Sequence, residues 1–483
     1  MTDVPAPVAK ILRANGISLD DVSLYVHEVT APQPVLAINA QVPRNPASTI
    51  KLLTSRAGLD ILGPSFTWKT EAYLRGPIKD GRLDGDLIIK GYGDPNLSPG
   101  DLWRLLWGVR ERGVVTVGGD IVLDQSHFAP IEGGRGDFDG AAESPYNALP
   151  AALSVNAQTT DIRLVREGGG DRVRVFTDPP LANVQVDNAL KVVDAPCQAK
   201  HHRPTVRVIE DGPLATLSLG GTFAAACGEA SYPRLMMDPA VHTAGAVAAL
   251  WQAIGGRIEG VIRSGERGAD AHRIHTVSST PLVQTIRSVN KDSNNLVSRT
   301  LFLTLGAVHA GAPGTLPKAR EAIAVWLKRQ GLDFPELFVE NGSGLSREAR
   351  ISAESLGRLL GEAFASPIMP EYLSSLSIAG VDGTLRKRLR GTPMAGRAQM
   401  KTGTLKGVTA LAGYVLDRDG RRWVVVSMMN NPRLPTWAGK AAEDALVGWV
   451  YREAGAVGTG TQGPRQAQAL APSWFLHPTS APP

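Results

Sequence analysis

The sequence predicts a mixed α/β (α+β) multidomain protein in which a helix-rich unit is interrupted by a long β-rich insert. Three observations carry this. The chain has 483 residues, more than one hydrophobic core sustains, so it divides into two to four domains. Its texture changes near Trp68 from helical periodicity to short alternating runs, and changes back after Ser278. The helical parts carry chemically suggestive short motifs, whereas the stretch between them is rich in turn signals.

Taken in order, residues 22–26 and 35–40 alternate and are rich in Val, Leu and Ile, which predicts one or two strands. Asn45-Pro46-Ala47 then introduces a helix, because Asn suits the N-cap and Pro the first helical position. Ile50, Leu53, Ala57 and Ile61 recur on one face of it. Short strands punctuated by turns such as Lys79-Asp80-Gly81-Arg82 are expected over 68–123, with 87–91 the clearest. The β pattern continues over 161–165, 172–176, 206–209 and 214–219, and 238–254 reads as a helix. Helices dominate from Ser278 to beyond Leu360, with 288–293 read as part of one continuous helix. Strands over 404–416 and 423–429 and a helix over 440–454 close the fold. Residues 456–483, rich in Gly, Thr, Gln, Pro and Ser, read as a disordered tail.

Composition narrows the functional classes. Hydrophobic residues make up 43% and charged residues 20%, ordinary for a globular enzyme. The net charge is +5, but no Lys/Arg-rich block of five stands out, so nucleic acid is not an expected partner. That sign is compatible with an acidic polymer, but a plain basic surface is the better account of it. No run of 18 apolar residues predicts a membrane span. Met1-Thr2-Asp3-Val4-Pro5 lacks the basic start and apolar middle of a secretion signal. A mature chain, a signal outside this sequence, and a cytoplasmic protein all remain open on that ground. Cys197 and Cys227 read as one disulfide or two buried thiols, and the first option favours an oxidising compartment. His272-Arg-Ile-His275 lacks a third ligand and reads as surface strand, so no metal is expected.

Three segments carry chemistry. Ser48 and Lys51 are i and i+3, one turn apart on a helix face. A serine hydroxyl needs a neighbour to take its proton, and the chain has no G-x-S-x-G elbow and no histidine in a hydrolase context. Lys51 is therefore the candidate base. It must be neutral to act, which burial and a second ammonium, Lys401, both favour. Ser293 and Asn295 form S-x-N: a hydroxyl able to relay a proton to a leaving amine, and an amide able to bind a peptide carbonyl. Lys401-Thr402-Gly403-Thr404 heads the run Val408, Ala410, Ala412, Tyr414, read as a half-buried strand. Lys401 and Thr402 offer a charge and a hydroxyl for a terminal carboxylate, and Gly403 permits close approach. An extended substrate can pair along the strand, and Thr404 N–H can complete an oxyanion hole with Ser48 N–H. Taken singly, these segments also read as a solvated helix start, an Asp-Ser-Asn cap and a sheet-edge lysine. A second S-x-x-K, Ser288 to Lys291, is rejected because it leaves no separate S-x-N segment.

In this order, S-x-x-K, S-x-N and K-T-G resemble the signature of penicillin-interacting serine enzymes. With Asn45-Pro-Ala-Ser-Thr-Ile-Lys-Leu-Leu-Thr54, Leu87-Ile-Ile-Lys-Gly-Tyr-Gly-Asp-Pro95, Asn290-Lys-Asp-Ser-Asn-Asn295, Gly342-Ser-Gly-Leu-Ser-Arg347 and Ile378-Ala-Gly-Val-Asp-Gly-Thr-Leu385, the chain resembles the low-molecular-mass class C penicillin-binding proteins, the D-alanyl-D-alanine carboxypeptidase/endopeptidase family. Asn341 stands where that family usually has Asp, a change expected to touch turn chemistry.

The resemblance implies a transpeptidase-like catalytic domain, an antiparallel sheet flanked by helices, over 10–68 and 270–455. It implies a β-rich insert over 69–155 and 236–269, and a small third domain over 156–235. Ser48 would be the acylated nucleophile, Lys51 its base, and Ser293, Asn295 and Lys401 further catalytic residues. Lys401, Thr402, Gly403 and Thr404 would bind substrate. The implied partners are peptidoglycan stem peptides and cross-links, with β-lactam antibiotics as covalent inhibitors and no cofactor. The implied location is the periplasm, where such substrate lies. A β-lactamase or esterase of the same superfamily and a non-catalytic wall-binding protein are the rival readings.

Overall fold

The computed structural model describes residues 3–168 and 170–458. At its centre is a six-stranded sheet in the order Ser377–Ile378, Ala398–Leu405, Val408–Leu416, Arg422–Asn430, Val22–Glu28, Leu36–Ile38, with every neighbouring pair antiparallel. Side chains alternate between its faces. Tyr25, Ala410, Ala412, Tyr414, Val424 and Val426 share one core with the helices Lys51–Leu62, Leu282–Lys291, Asn295–Ala310, Leu316–Arg329 and Ala353–Ala365. Leu24, Leu411, Val415, Trp423 and Val425 pack on the other face against Ala6–Ala14 and Thr436–Arg452.

This corrects two expectations. The run from Val408 is buried on both faces, because each face of the sheet has its own helical layer. And 404–416 is two elements: Lys401 to Thr404 lie inside a separate strand, Ala398–Leu405, which turns through Gly407 into Val408–Leu416.

Between the two helical parts, a five-stranded sheet joins Ile262–Ser264, Ile121–Asp124, Asp86–Gly91, Lys69–Arg75 and His272–Ser278. His272–Ser278 pairs with Lys69–Arg75, so the chain stays in this sheet as far as Ser278. Residues 68–123 are not all β. Pro99–Glu111 is a helix, started by a capping box between Ser98 and Asp101 and buried through Leu102, Leu105, Leu106 and Val109. Thr159–Leu235 contains two further sheets. Their Ile162, Leu164, Leu217 and Phe223 belong to the same apolar cluster as Leu87, Ile89, Ile121 and Leu123. The nested segment therefore shares its core with the insert instead of building one alone. Cys197 and Cys227 are joined in a disulfide within it. Residues 456–458, expected to open a disordered tail, belong to the helical turn Ala454–Gly458; the rest of that tail lies outside the described residues. Among the described residues no helix is long and apolar enough to cross a membrane.

Candidate active site

Ser48 sits in a turn wound tighter than expected. Asn45 does not cap an α-helix: its Oδ1 accepts from Ala47 N at 2.8 Å while its Nδ2 donates to Ser346 O at 2.8 Å. Ala47 takes a positive φ of 44°, and Ala47–Ile50 is a 3₁₀ turn feeding the α-helix Lys51–Leu62. Positive φ at a non-glycine residue is a stored distortion held by its surroundings. Here it lifts Ser48 to the rim while Lys51, one turn on, is fully buried.

The environment of Lys51 fixes its chemistry. Nζ lies 3.0 Å from Ser48 Oγ and donates to Asn295 Oδ1 at 2.7 Å and to the Ser343 carbonyl. The Asn295 amide is oriented by its other end, which donates to Tyr146 O at 3.0 Å. Two of the three neighbours are thus pure acceptors. A neutral amine has two hydrogens for them and one lone pair left, and that lone pair faces the Ser48 hydroxyl. Burial, then the charges of Lys401 and Arg299, push the Lys51 pKa well below the ordinary lysine value.

Ser293 lies at a break, not within one continuous helix. Leu282–Lys291 ends, Ser293 takes φ 60°, and Asn295–Ala310 begins with Asn294 as its cap. Two helices can thus meet at an angle that a single one could not, which turns the Ser293 hydroxyl toward the strand. Its Oγ accepts from Lys401 Nζ at 2.8 Å, and Nζ also donates to Thr402 O at 2.8 Å. The Lys401 amine is buried and engaged inside the protein rather than presented to solvent, and burial lowers its pKa to about 7.

The strand itself is pressed against the Ser48 turn. A Cβ at Gly403 would lie 2.7 Å from Pro46 O and 3.1 Å from Ser48 N, so only glycine allows this approach. Ala398 O accepts from Ala379 N on the outer side, and backbone groups alternate along an antiparallel strand. Those of Thr402 and Thr404 therefore face the same outer edge. The strand Ser377–Ile378 pairs only with Met400 and Gln399, leaving that edge open beside Ser48.

The decoy differs. Ser288 Oγ donates to Thr285 O at 2.9 Å, whereas Lys291 Nζ pairs with Asp382 at 2.6 Å. The two side chains are thus engaged with other partners and not with each other.

A cleft of about 360 Å³ opens over Ser48, Ser293, Thr402 and Thr404, and Thr384, Arg388 and Lys440 complete its lining. Sequence reasoning missed these last three, together with Arg299 and the carbonyls of Ser343 and Tyr146. Arg388 was traceable from its place just beyond the quoted Ile378–Leu385 motif, which itself contains Thr384; a backbone carbonyl leaves no signal of its own. Asn341 accepts from Ser343 N and Oγ and donates to Leu345 O. The turn that aims the Ser343 carbonyl at Lys51 is built on that side chain.

Against known proteins, residues 4–453 match the D-Ala-D-Ala carboxypeptidase 3 (S13) family. The chain belongs to that family. This S13 protein is 26% identical over 392 residues to D-alanyl-D-alanine carboxypeptidase DacB of Haemophilus influenzae, covering 80% of each chain. It is 30% identical over 403 residues to the D-alanyl-D-alanine carboxypeptidase of Actinomadura sp. (strain R39), covering 80% of this chain and 73% of the relative. The crystal structure of penicillin binding protein 4 (dacB) from Haemophilus influenzae superposes with a TM-score of 0.76 at 23% identity, over 92% of this chain and 99% of that one. The penicillin-binding transpeptidase-like fold and serine-type hydrolase class expected from the motifs are therefore those of this S13 carboxypeptidase.

Proposed function

We propose that this S13 carboxypeptidase cleaves D-Ala-D-Ala termini of peptidoglycan stem peptides, and the cross-links between them, through an acyl-enzyme on Ser48. Neutral Lys51 takes the Ser48 proton as Oγ attacks the penultimate carbonyl, and the N–H groups of Ser48 and Thr404 receive the developing oxyanion. Ser293, hydrogen-bonded to Lys401, gives its hydroxyl proton to the departing amine and is reprotonated at the expense of the proton Lys51 took from Ser48, so that Lys51 is neutral again and Ser293 again a hydroxyl. Thr402, Gly403 and Thr404 align the substrate along the open strand edge, and Asn295 positions Lys51. Water then attacks the ester with Lys51 again as base. β-Lactams enter the same path and stop at the acyl-serine. The observation that carries this reading is the fully buried Lys51 Nζ lying 3.0 Å from Ser48 Oγ, with the Asn295 Oδ1 and Ser343 carbonyl acceptors as its other two partners.

A periplasmic location accords with the disulfide, which persists in oxidising compartments. We also propose a discontinuous catalytic domain, with its second part starting after Ser278, and an insert that contains the smaller nested unit.

Intact-mass measurement after penicillin exposure tests the assignment. One adduct lasting minutes or longer is expected, mapping to Ser48, abolished in Ser48→Ala and retained in Ser288→Ala. An adduct on Ser288, or none on the wild type, overturns it, and rapid release favours the β-lactamase reading.

A further inference from the structure

The substrate named above ends in a carboxylate, and the strand lysine is poorly placed to receive it. Lys401 Nζ is fully buried, and its contacts run to Ser293 Oγ and Thr402 O. Two other cations line the cleft, from separate parts of the fold. Arg388 follows the short turn Gly383–Leu385, and Lys440 belongs to the first turns of the helix Thr436–Arg452.

Arg388 is held like a built receptor. Its Nε and Nη2 donate to Asp444 Oδ1 at 3.0 and 2.6 Å, its Nη1 to Glu443 Oε2 at 2.9 Å, and its Nη2 also to Lys440 O at 3.1 Å. Its side chain is only 12% exposed and Glu443 only 1%. Of five guanidinium N–H groups, four are engaged, leaving one on Nη1 without a protein partner. Arg388 also keeps its charge at any working pH. Lys440 is half-buried beside it, and its ammonium has no ion-pair partner among the described residues. A fixed arginine with a spare donor next to an unpaired ammonium is a site for a small anion. It opens onto the same cleft as Ser48 and the Thr402–Thr404 edge.

We propose that Arg388 and Lys440 bind the C-terminal carboxylate of the scissile peptide and so set the preference for a free terminus. Thr402 and Thr384, whose hydroxyls are 2.9 Å apart, lie on the way and hydrogen-bond the same group. Lys401 is left to position Ser293. The inference rests on the carboxypeptidase reading and adds to it the residues that recognise charge.

The test compares kcat/KM for an N-acylated D-Ala-D-Ala free acid with that for its C-terminal amide. Wild type is expected to prefer the acid. In Lys440→Gln and in Arg388→Lys the acid-to-amide ratio is expected to fall on the order of tenfold, as for loss of one charge-assisted hydrogen bond, mainly through KM. Lys440 is half-buried and pairs with no carboxylate, so Lys440→Gln decides the matter even if Arg388→Lys fails to fold. An unchanged ratio in Lys440→Gln, or equal losses on acid and amide, overturns the proposal while the reaction stands. A wild type that cleaves neither compound and takes no penicillin adduct on Ser48 overturns the reaction itself, and this inference with it.

Discussion

A buried lysine surrounded by acceptors has little freedom in how it carries its protons. Lys51 donates to Asn295 Oδ1 and Ser343 O, so the third direction, toward Ser48, decides whether it is acid or base. Its pKa is pushed down by burial first and by the positive charges of Lys401 and Arg299 next, all of which favour the neutral form. The sign follows directly. At low pH the ammonium forms, no lone pair faces Ser48, and acylation stops; as pH rises the neutral fraction grows. Penicillin acylation rates measured against pH should therefore rise and level off far below the ordinary lysine value of about 10.4. A rate still climbing at about pH 10 would show a lysine of ordinary basicity and remove Lys51 from the role. Lys401, lowered to about 7 by burial, loses charge nearby, so the midpoint belongs to the pair rather than to one residue.

At the scale of elements, what the sequence reveals depends on how local the cause is. The pairing of Ser48 with Lys51 is a matter of spacing on one turn and was fully legible. The Pro99–Glu111 helix carried its own signal, Ser98 with Asp101 followed by Leu102, Leu105 and Leu106, but was masked by the β-rich texture around it. The helix break at Ser293 was not legible, because left-handed backbone at a serine is imposed by the packing of two helices and not chosen by the residue. The hairpin split at Lys406-Gly407 had a turn signal in Gly407, φ 75°, that the apolar run behind it obscured. Gly403 shows how an element can be placed by what a residue lacks. In Gly403→Ala the added Cβ meets Pro46 O at 2.7 Å and Ala47 Cβ at 3.1 Å, contacts with backbone and a rigid methyl that cannot swing aside. The strand and the Ser48 turn must part by a fraction of an ångström to an ångström. Such a displacement costs on the order of 10²-fold in a positioned reaction. The second-order rate of penicillin acylation should drop by about that factor while the melting temperature moves only a few degrees. A rate within threefold of wild type would mean that the close approach is not needed.

Across the whole molecule, the insert is tied to the chemistry by its backbone. Tyr146 O orients the Asn295 amide and Ala148 O accepts from Arg299 Nη1, so a segment of the insert side stands behind both Asn295 and Arg299. Leu235 N in turn donates to Glu143 O, linking the last strand of the nested unit to that segment. The Cys197–Cys227 bond lies within the nested sheets, where it closes a sequence separation of 30 residues. Loop-closure entropy puts its contribution at roughly 3–4 kcal/mol, acting on the cluster of Leu87, Ile162 and Leu217 and not on the core around Leu301 and Phe302 that seats Lys51. Stability and chemistry are thus separable in this fold. The double variant Cys197→Ser/Cys227→Ser should unfold at a markedly lower temperature, by calorimetry, and match wild type treated with reductant. At 25 °C, below that transition, its penicillin acylation rate should stay within about threefold of wild type, since the contacts that reach the Asn295 helix come from the far end of the last nested strand, at Arg234 and Leu235, and not from the cystine. Loss of acylation in the still-folded variant would instead make the disulfide part of the machinery, transmitted through Glu143 and Tyr146.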